Sequence, residues 1–392
     1  MKKVRLFVWG DAVAETGFGR VLHSIMENLP KDKYDISWLG VNYDGDPHPY
    51  PYRIYPAASE GDMYGINRAK EILEREKPEI IFLLNDIWIT MHFLELLKKT
   101  YTAEEMPKIV IYFPVDSLEH NPYWYKDIDI TTSVVYNNFG LSVAKQASPE
   151  TNFKIIPHGV DKTKFFKINA PKSELRKLII GDTDQFAESF VVLNGNRNQP
   201  RKRLDATIRG FAIFAHNNPT ADVVLHMHCG LKDASIDVPL LAKRYGINDN
   251  IIVAKYNGIQ KLTVEQLNIL YNLSDIGINT SLGEGFGLVN VEHAITGAAQ
   301  IVPNHSACKD LFYDCGILMP VSFTWVQDKI NTVGGVVTAE TVAESIQLLY
   351  DHKAYRKRLA DKAIEKFSSG VFSWQKIADM WDTLFMEVTN NV

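Results

Sequence analysis

Apolar residues in this chain gather in short runs, and longer segments with helical spacing separate them. Val4 to Trp9, Ile36 to Val41, Glu79 to Leu84, Ile109 to Phe113, Ile130 to Val134 and Phe153 to Ile156 read as strands. Helices over Gly17 to Leu29, Tyr64 to Glu76, Ile87 to Thr100 and Phe139 to Gln146 fall between them. A second series begins at Phe190. Its strands are Val191 to Asn194, Asp222 to Met227, Asn250 to Ala254, Asp275 to Thr280, Gln300 to Pro303 and Gly316 to Met319. Its helices are Leu204 to His216, Val238 to Tyr245, Val264 to Asn272 with Thr263 as N-cap, Leu288 to Thr296, Ala339 to Asp351 and Tyr355 to Phe367. A last helix opens behind Ser373 and runs to about Val388. Between the series stands Ile156–Pro157–His158–Gly159–Val160–Asp161, and a polar, Lys-rich stretch to Lys177 reads as a linker. Strands alternating with helices predict an α/β chain of two doubly wound, Rossmann-like parallel sheets. The expected domains are 1–165 and 166–370, with a C-terminal helix over 371–392.

At 392 residues the length suits two domains, and 46% hydrophobic residues is a globular composition. A net charge of −5 and a pI near 6.1 give no global basic field for nucleic acid. A local basic patch could still serve a polyanion. Cys229, Cys308 and Cys315 form no metal spacing and read as reduced thiols of a cytoplasmic protein. The apolar run behind Met1–Lys2–Lys3 is too short for a signal-peptide core, and no run approaches a membrane span. Peripheral membrane contact stays open.

The chemistry concentrates in Gly283–Glu284–Gly285–Phe286–Gly287–Leu288–Val289–Asn290–Val291–Glu292. It follows a buried strand and enters a helix. Its glycines let backbone approach a ligand, and the helix start suits a phosphate. Glu284 on the loop and Glu292 one to two turns into the helix can face one pocket, where carboxylates accept sugar hydroxyls. A second junction, Gly195 to Arg203, places Arg197, Arg201, Lys202 and Arg203 after a strand end, stiffened by Pro200. In the first series, Gly17–Phe18–Gly19–Arg20 opens a helix behind a strand, with Leu22 where a dinucleotide fingerprint needs its third glycine. Asp116 closes Pro114–Val115–Asp116 at another strand end, with His120 nearby. Asp44 and Asp46 form an Asp-x-Asp, but Gly45, Pro47 and Pro49 make the segment a turn rather than a metal site. His226 and His228 read as strand residues without a third ligand.

The glycine loop resembles the Glu-x7-Glu motif of retaining glycosyltransferases with the GT-B fold, in the large family 4 group. The resemblance covers nearly the whole chain and is strongest over 190–305. It implies two Rossmann-like domains facing a cleft, with the terminal helix crossing back to the N-terminal domain. It implies a nucleotide-diphosphate sugar, UDP- or GDP-linked, as donor substrate, with no further cofactor and no metal. Glu284 then lies near the donor sugar, Glu292 at the ribose, and Gly285, Phe286, Gly287 and Leu288 along the donor. Arg197 and Lys202 match the Arg and Lys that grip the diphosphate, while Arg201 and Arg203 read as surface. Gly17 and Gly19 match a loop facing the donor phosphate and the acceptor. Asp116 stands where many relatives carry a His that contacts the donor sugar. Asp116, Glu284, Arg197 and Lys202 are thus the catalytic candidates. The resemblance also implies same-face attack with retention, the leaving phosphate helping to accept the acceptor proton.

Two other classes compete. A sugar-nucleotide epimerase of the same fold would need an acid/base set in the first half that these residues do not assemble. A non-catalytic nucleotide-sugar binder is opposed by the intact Glu284, Glu292, Arg197 and Lys202. The acceptor is a hydroxyl on a glycan, a glycolipid or, as in some phage enzymes, a hydroxymethylated base in DNA. It is expected to contact the first half.

Overall fold

The apolar runs of the first half lie side by side in a seven-stranded, all-parallel sheet. The strands are β1 (Val4–Asp11), β2 (Tyr34–Val41), β3 (Arg53–Pro56), β4 (Ile80–Leu84), β5 (Lys108–Tyr112), β6 (Thr131–Val135) and β7 (Lys154–Ile155). Their spatial order is β3-β2-β1-β4-β5-β6-β7. β1 is buried from Leu6 onward and β4 throughout, as expected of strands covered on both faces. Helices α1 (Gly17–Asn28), α2 (Ile66–Glu76), α3 (Ile87–Thr100) and α4 (Asn138–Ala147) connect them.

The second half begins with α5 (Lys172–Ile180). A six-stranded parallel sheet follows: β8 (Phe190–Asn194), β9 (Val223–Met227), β10 (Ile251–Val253), β11 (Ile276–Ile278), β12 (Ala299–Pro303) and β13 (Gly316–Met319). Its order is β10-β9-β8-β11-β12-β13. The helices are α6 (Leu204–Asn217), α7 (Val238–Arg244), α8 (Val264–Leu273), α9 (Leu288–Ile295), α10 (Ser306–Phe312), α11 (Ala339–Asp351) and α12 (Lys353–Ser368). A separate antiparallel hairpin joins β14 (Phe323–Val326) to β15 (Val333–Val336). The chain closes with α13 (Trp374–Asn390). This computed structural model describes residues 2–14, 16–58, 61–180, 186–231, 235–253 and 262–390; Ala254, the expected end of β10, lies outside them.

Two compact units result. Unit 1 comprises Met1–Val115, Glu119–Gly159 and Val371–Val392; unit 2 comprises Asp116–Leu118 and Val160–Gly370. In unit 1, α13 packs on the sheet. Trp381 is buried with its ring 4.7 Å from Phe82 and 4.8 Å from Tyr112. Asp382 accepts from Lys33 and Tyr34, both at 2.7 Å. Ser373 caps the helix through the Lys376 amide. In unit 2, Phe211, Ile208, Val342 and Ile346 bury against the strands, and Thr263 closes a full capping box with Gln266.

Five elements differ from the sequence reading. β3 is an edge strand ending in Pro56, a place where proline is tolerated and period-two patterning is weak. The Lys-rich linker contains α5. Its Lys172 and Arg176 bind Asp275 at 2.8 and 3.1 Å, so its cations anchor a helix rather than solvate a tether. The segment after Asn304 folds into α10, burying Ala307, Cys308, Leu311 and Phe312. The hairpin β14–β15 stands beyond β13, which the sequence reading made the last strand.

Candidate active site

The strand order of unit 2 reverses between β8 and β11. From β8 the chain steps outward through β9 and β10, then returns to β11 and steps the other way. Loops leaving the carboxyl ends of two such strands diverge and open a crevice, where α/β sheets hold ligands. Here those loops are 195–203 and 279–287.

The first loop is pegged by asparagines. The Asn194 side chain accepts from the Asn196 amide at 3.0 Å. Asn198 donates to the carbonyls of Gly230 and Ile236 and accepts from the Ile236 amide. Pro200–Lys202 then forms a single 3-10 turn, with Arg203 left-handed at φ 48°. This turn carries Lys202 inward, where it is buried.

The second loop presents Glu284 to that lysine. Glu284 Oε1 accepts from Lys202 Nζ at 2.5 Å, from Ser281 Oγ at 2.7 Å and from Asn279 Nδ2 at 3.0 Å. Arg201 lies 3.6 Å from Glu284 Oε2 and 3.6 Å from Asp116 Oδ2, so one guanidinium joins two carboxylates. Burial alone would raise the Glu284 carboxyl. Lys202, Arg201 and the donors on Oε1 outweigh it and hold the carboxyl at about 2. Burial and the neighbouring Arg201 push the Lys202 ammonium down, against the pull of Glu284. The network runs on inward: Asn279 donates to Asn290, and Asn290 to Gln300, all buried. Cys308 stands within the field of this pair, but burial drives its thiol far up, which makes it a poor nucleophile.

Backbone contacts lock the arrangement. The Glu284 amide donates to Ser306 Oγ at 2.9 Å, and the Ala307 amide to the Glu284 carbonyl. Arg201 also donates to the Gly283 carbonyl at 2.8 Å. A Cβ on Gly283 would lie 1.6 Å from the Asp116 carbonyl oxygen, so only glycine permits this approach. Leu118 exchanges both backbone hydrogen bonds with Val333 of β15, and the Gly335 amide donates to the Leu282 carbonyl. β15 thereby ties the Asp116 segment to the Glu284 loop.

Behind Glu284, Gly287 takes φ 83° and opens α9 without a side-chain cap. Helix starts of this kind direct amides at an anion. A Cβ on Gly195 would come 3.0 Å from Val289 Cγ1, so the first loop lies against this helix start. Glu292 is buried in α9 and accepts from the Tyr271 hydroxyl at 3.3 Å.

No protein-family model matches the chain. Mannosylfructose-phosphate synthase of Agrobacterium fabrum is 23% identical over 228 residues, 55% of this chain and 48% of that protein, so the chain spans about half the length of this curated relative. Sucrose-phosphate synthase from Thermosynechococcus elongatus superposes with a TM-score of 0.75 at 14% identity, covering 100% of both chains. Anabaena HepE, solved with UDP and glucose, superposes with a TM-score of 0.73 at 15% identity, covering 98% of this chain and 100% of that one. The chain has the GT-B fold.

Within this GT-B unit 2 the structure brings together Asp116, Lys202, Glu284 and Gly285 to Leu288, with Glu292 further along the same helix. Arg197 shares the first loop but is exposed and joins no ion pair among the described residues. Arg201, read from the sequence as surface, takes the place beside Glu284. Four cations in a row of seven residues carry no period, and only the 3-10 turn decides which face inward. Arg203 turns away to Asp205.

Gly17 and Gly19 belong to unit 1 and start α1. The Gly19 amide caps on Thr16, and a Cβ there would meet the Ala14 carbonyl at 2.8 Å. Thr16 and Asn42 both donate to Asp11, a buried acid at the end of β1 that the sequence reading passed over. Its signal was available: an acid closing a strand at the switch point between β1 and β4. Burial raises its carboxyl against those two donors. His120 is held by the Tyr125 hydroxyl at 2.9 Å. Asp44 and Asp46 are exposed around Gly45 at φ 111°, a turn. His226 is buried in β9 and burial pushes it down to about 3. All three cysteines are buried and in no disulfide. Among the described residues, no helix is long and apolar enough to cross a membrane, and no group of three acidic, His or Cys side chains could hold a metal.

Proposed function

We propose that the chain is a glycosyltransferase that moves a sugar from a nucleotide-diphosphate donor to a hydroxyl acceptor. The observation that carries this reading is the buried Lys202–Glu284 pair, with Arg201 and Asp116, beside the uncapped start of α9. A departing diphosphate carries charge that must be stabilised as the bond breaks. Two cations and a helix start placed together do this without reorganising. Arg201, Lys202 and the amides of α9 bind the diphosphate in this reading, and Arg197 meets its outer oxygens from the rim of the loop. Glu284, held ionised, faces the sugar as positive charge develops at its anomeric carbon. Glu292, deeper in α9, accepts from the ribose hydroxyls.

The similarity to sugar-phosphate synthases and to a protein solved with UDP and glucose supports a UDP- or GDP-linked hexose. The motif over 283–292 supports the family 4 reading, retention of configuration and catalysis without metal. Buried cysteines outside any disulfide support a reducing, cytoplasmic setting. The test is a panel of UDP- and GDP-sugars scored by nucleotide release, with product configuration read by NMR. One donor is expected to release nucleotide in an acceptor-stimulated manner and to give an axial linkage from an axial donor. Epimer formation, or binding with no release across the panel, would overturn the reading.

A further inference from the structure

We infer that Ser306 is a positioning residue for Glu284: it keeps a left-handed backbone so that its hydroxyl can carry the Glu284 amide. The hold lies within unit 2 alone. Its effect on sugar transfer rests on the glycosyltransferase reading above.

Of the non-glycine residues with positive φ among those described, Ser306 alone, at 51°, is buried. Serine has no special ease in the left-handed region, unlike glycine or asparagine. Such a conformation persists where its surroundings hold it, and it gathers at functional sites. A serine at a helix start commonly caps its own helix. Ser306 begins α10 and does something else. The cap position is His305, which makes no side-chain cap, and Ser306 Oγ accepts at 2.9 Å from the amide of Glu284, 22 residues earlier.

The next residue completes the grip, since the Ala307 amide donates to the Glu284 carbonyl at 3.2 Å. Both backbone groups of Glu284 are thus held from the start of α10. Its Oε1 is held from the other side by Lys202, Ser281 and Asn279. A glycine at 306 would reach the same φ at no side-chain cost and leave the Ala307 bond in place. It would strip the buried Glu284 N–H of its acceptor, which is the costly half of a broken hydrogen bond. The hydroxyl therefore sets where the Glu284 backbone sits, and through it whether the carboxylate meets Lys202. Gly285 to Gly287 follow directly and lead into α9. Misplacing a reacting group by about 1 Å can cost on the order of 100-fold in rate.

The experiment compares the full chain with Ser306→Ala and Ser306→Gly, each alone and combined with Glu284→Gln. Alanine keeps the left-handed burden and loses the hydroxyl; glycine loses both. The readouts are melting curves from pH 2 to 8, UDP and GDP titration, and kcat and KM for the UDP- or GDP-sugar that the parent turns over. Both single variants are expected to lose tenfold or more in kcat per folded molecule. Donor KM and nucleotide affinity should stay within threefold. Added to Glu284→Gln, neither should lower kcat by more than a further twofold. The charged groups facing the Glu284 carboxyl are Lys202, Arg201 and, beyond Arg201, Asp116, while burial keeps Cys308 a thiol. As the carboxyl draws away from Lys202, its folded value rises toward 4.5, so the acid loss of stability should move to higher pH in both variants. Parental kcat in folded Ser306→Gly, or a parental acid limb, overturns the positioning role. If the parent releases nucleotide from no donor, the glycosyltransferase reading falls, and the acid limb alone decides whether Ser306 holds Glu284.

Discussion

The site for a Cβ on Gly283 lies 1.6 Å from the carbonyl oxygen of Asp116 and 2.8 Å from its carbonyl carbon. Both neighbours are backbone and cannot rotate away. Gly283→Ala must part the two segments that carry Asp116 and Glu284. The expected cost is about 3 kcal/mol, the upper end for overpacking. Urea melts should show it, and activity measured on the folded fraction should fall with it. A variant as stable and active as the parent would mean the two segments are not held this closely.

Lys202 and Glu284 are a buried pair, and removing one partner should cost more than removing both. Lys202→Met is expected to lose about 3 kcal/mol at neutral pH, because it leaves a buried carboxylate. The double variant Lys202→Met with Glu284→Gln should recover part of that loss in a double-mutant cycle.

The acid loss of stability should fall at different pH in the parent and in Lys202→Met. In the parent, Glu284 titrates at about 2 when folded against an ordinary 4.5. Its stabilisation is present above about 4.5 and is lost as pH falls toward 2. In Lys202→Met, Arg201 and the Ser281 and Asn279 donors still face the carboxyl, but its largest cationic partner is gone, so its folded value rises toward 4.5. The stabilisation present above 4.5 shrinks, and its loss on acidification moves to higher pH. Melting curves from pH 3.5 to 8 read the difference; parallel profiles would reject it.

Arg201 and Arg197 should separate kinetically. Arg201 touches two carboxylates and the Gly283 carbonyl, so Arg201→Ala should lower kcat/KM by about 100-fold, or about 3 kcal/mol. Arg197 is exposed, and Arg197→Ala should act chiefly on KM for the donor. Equal losses in kcat would show both at the reacting charge.

Glu292→Ala should weaken nucleotide binding, while Glu284→Gln should slow the chemical step. Ribose hydroxyls do not change during transfer, so a contact to them is equal in ground and transition states and appears in KM. The anomeric carbon does change charge, and the ionised Glu284 responds to it. Calorimetric binding of UDP or GDP and kcat for each folded variant decide the matter. A Glu292→Ala protein with parental nucleotide affinity would rule out the ribose role.

Transfer is expected to survive EDTA, since Arg201, Lys202 and the α9 start supply the positive charge. Activity abolished by EDTA and restored by Mg or Mn would overturn that.

Much of the frame was legible because its signals are local. β13 and α3 have the ends their patterns predict, and Thr263 caps α8 as its type suggests. β14 was not legible, since its apolar residues face solvent and leave no alternation to read. Nor was α5, whose lysine and arginine mark a helix only once Asp275 is seen opposite. In the site, Glu284 and Lys202 stood out by motif and spacing. Arg201 did not, because a 3-10 turn rather than a period turns it inward. The touch of Gly283 on Asp116 joins residues far apart in the chain, and no window of sequence contains it.

That long-range contact has a consequence for how the protein is made. Asp116 to Leu118 are synthesised early but belong to unit 2, bonded to Val333 near the end of the chain. A nascent chain must hold this piece unpaired until β15 has left the ribosome. Closing so long a loop late in folding places the assembly of the site after the bulk of both sheets. Refolding should therefore restore helical signal first and nucleotide binding afterwards, and a chain stalled before Val333 would be folded in large part yet silent.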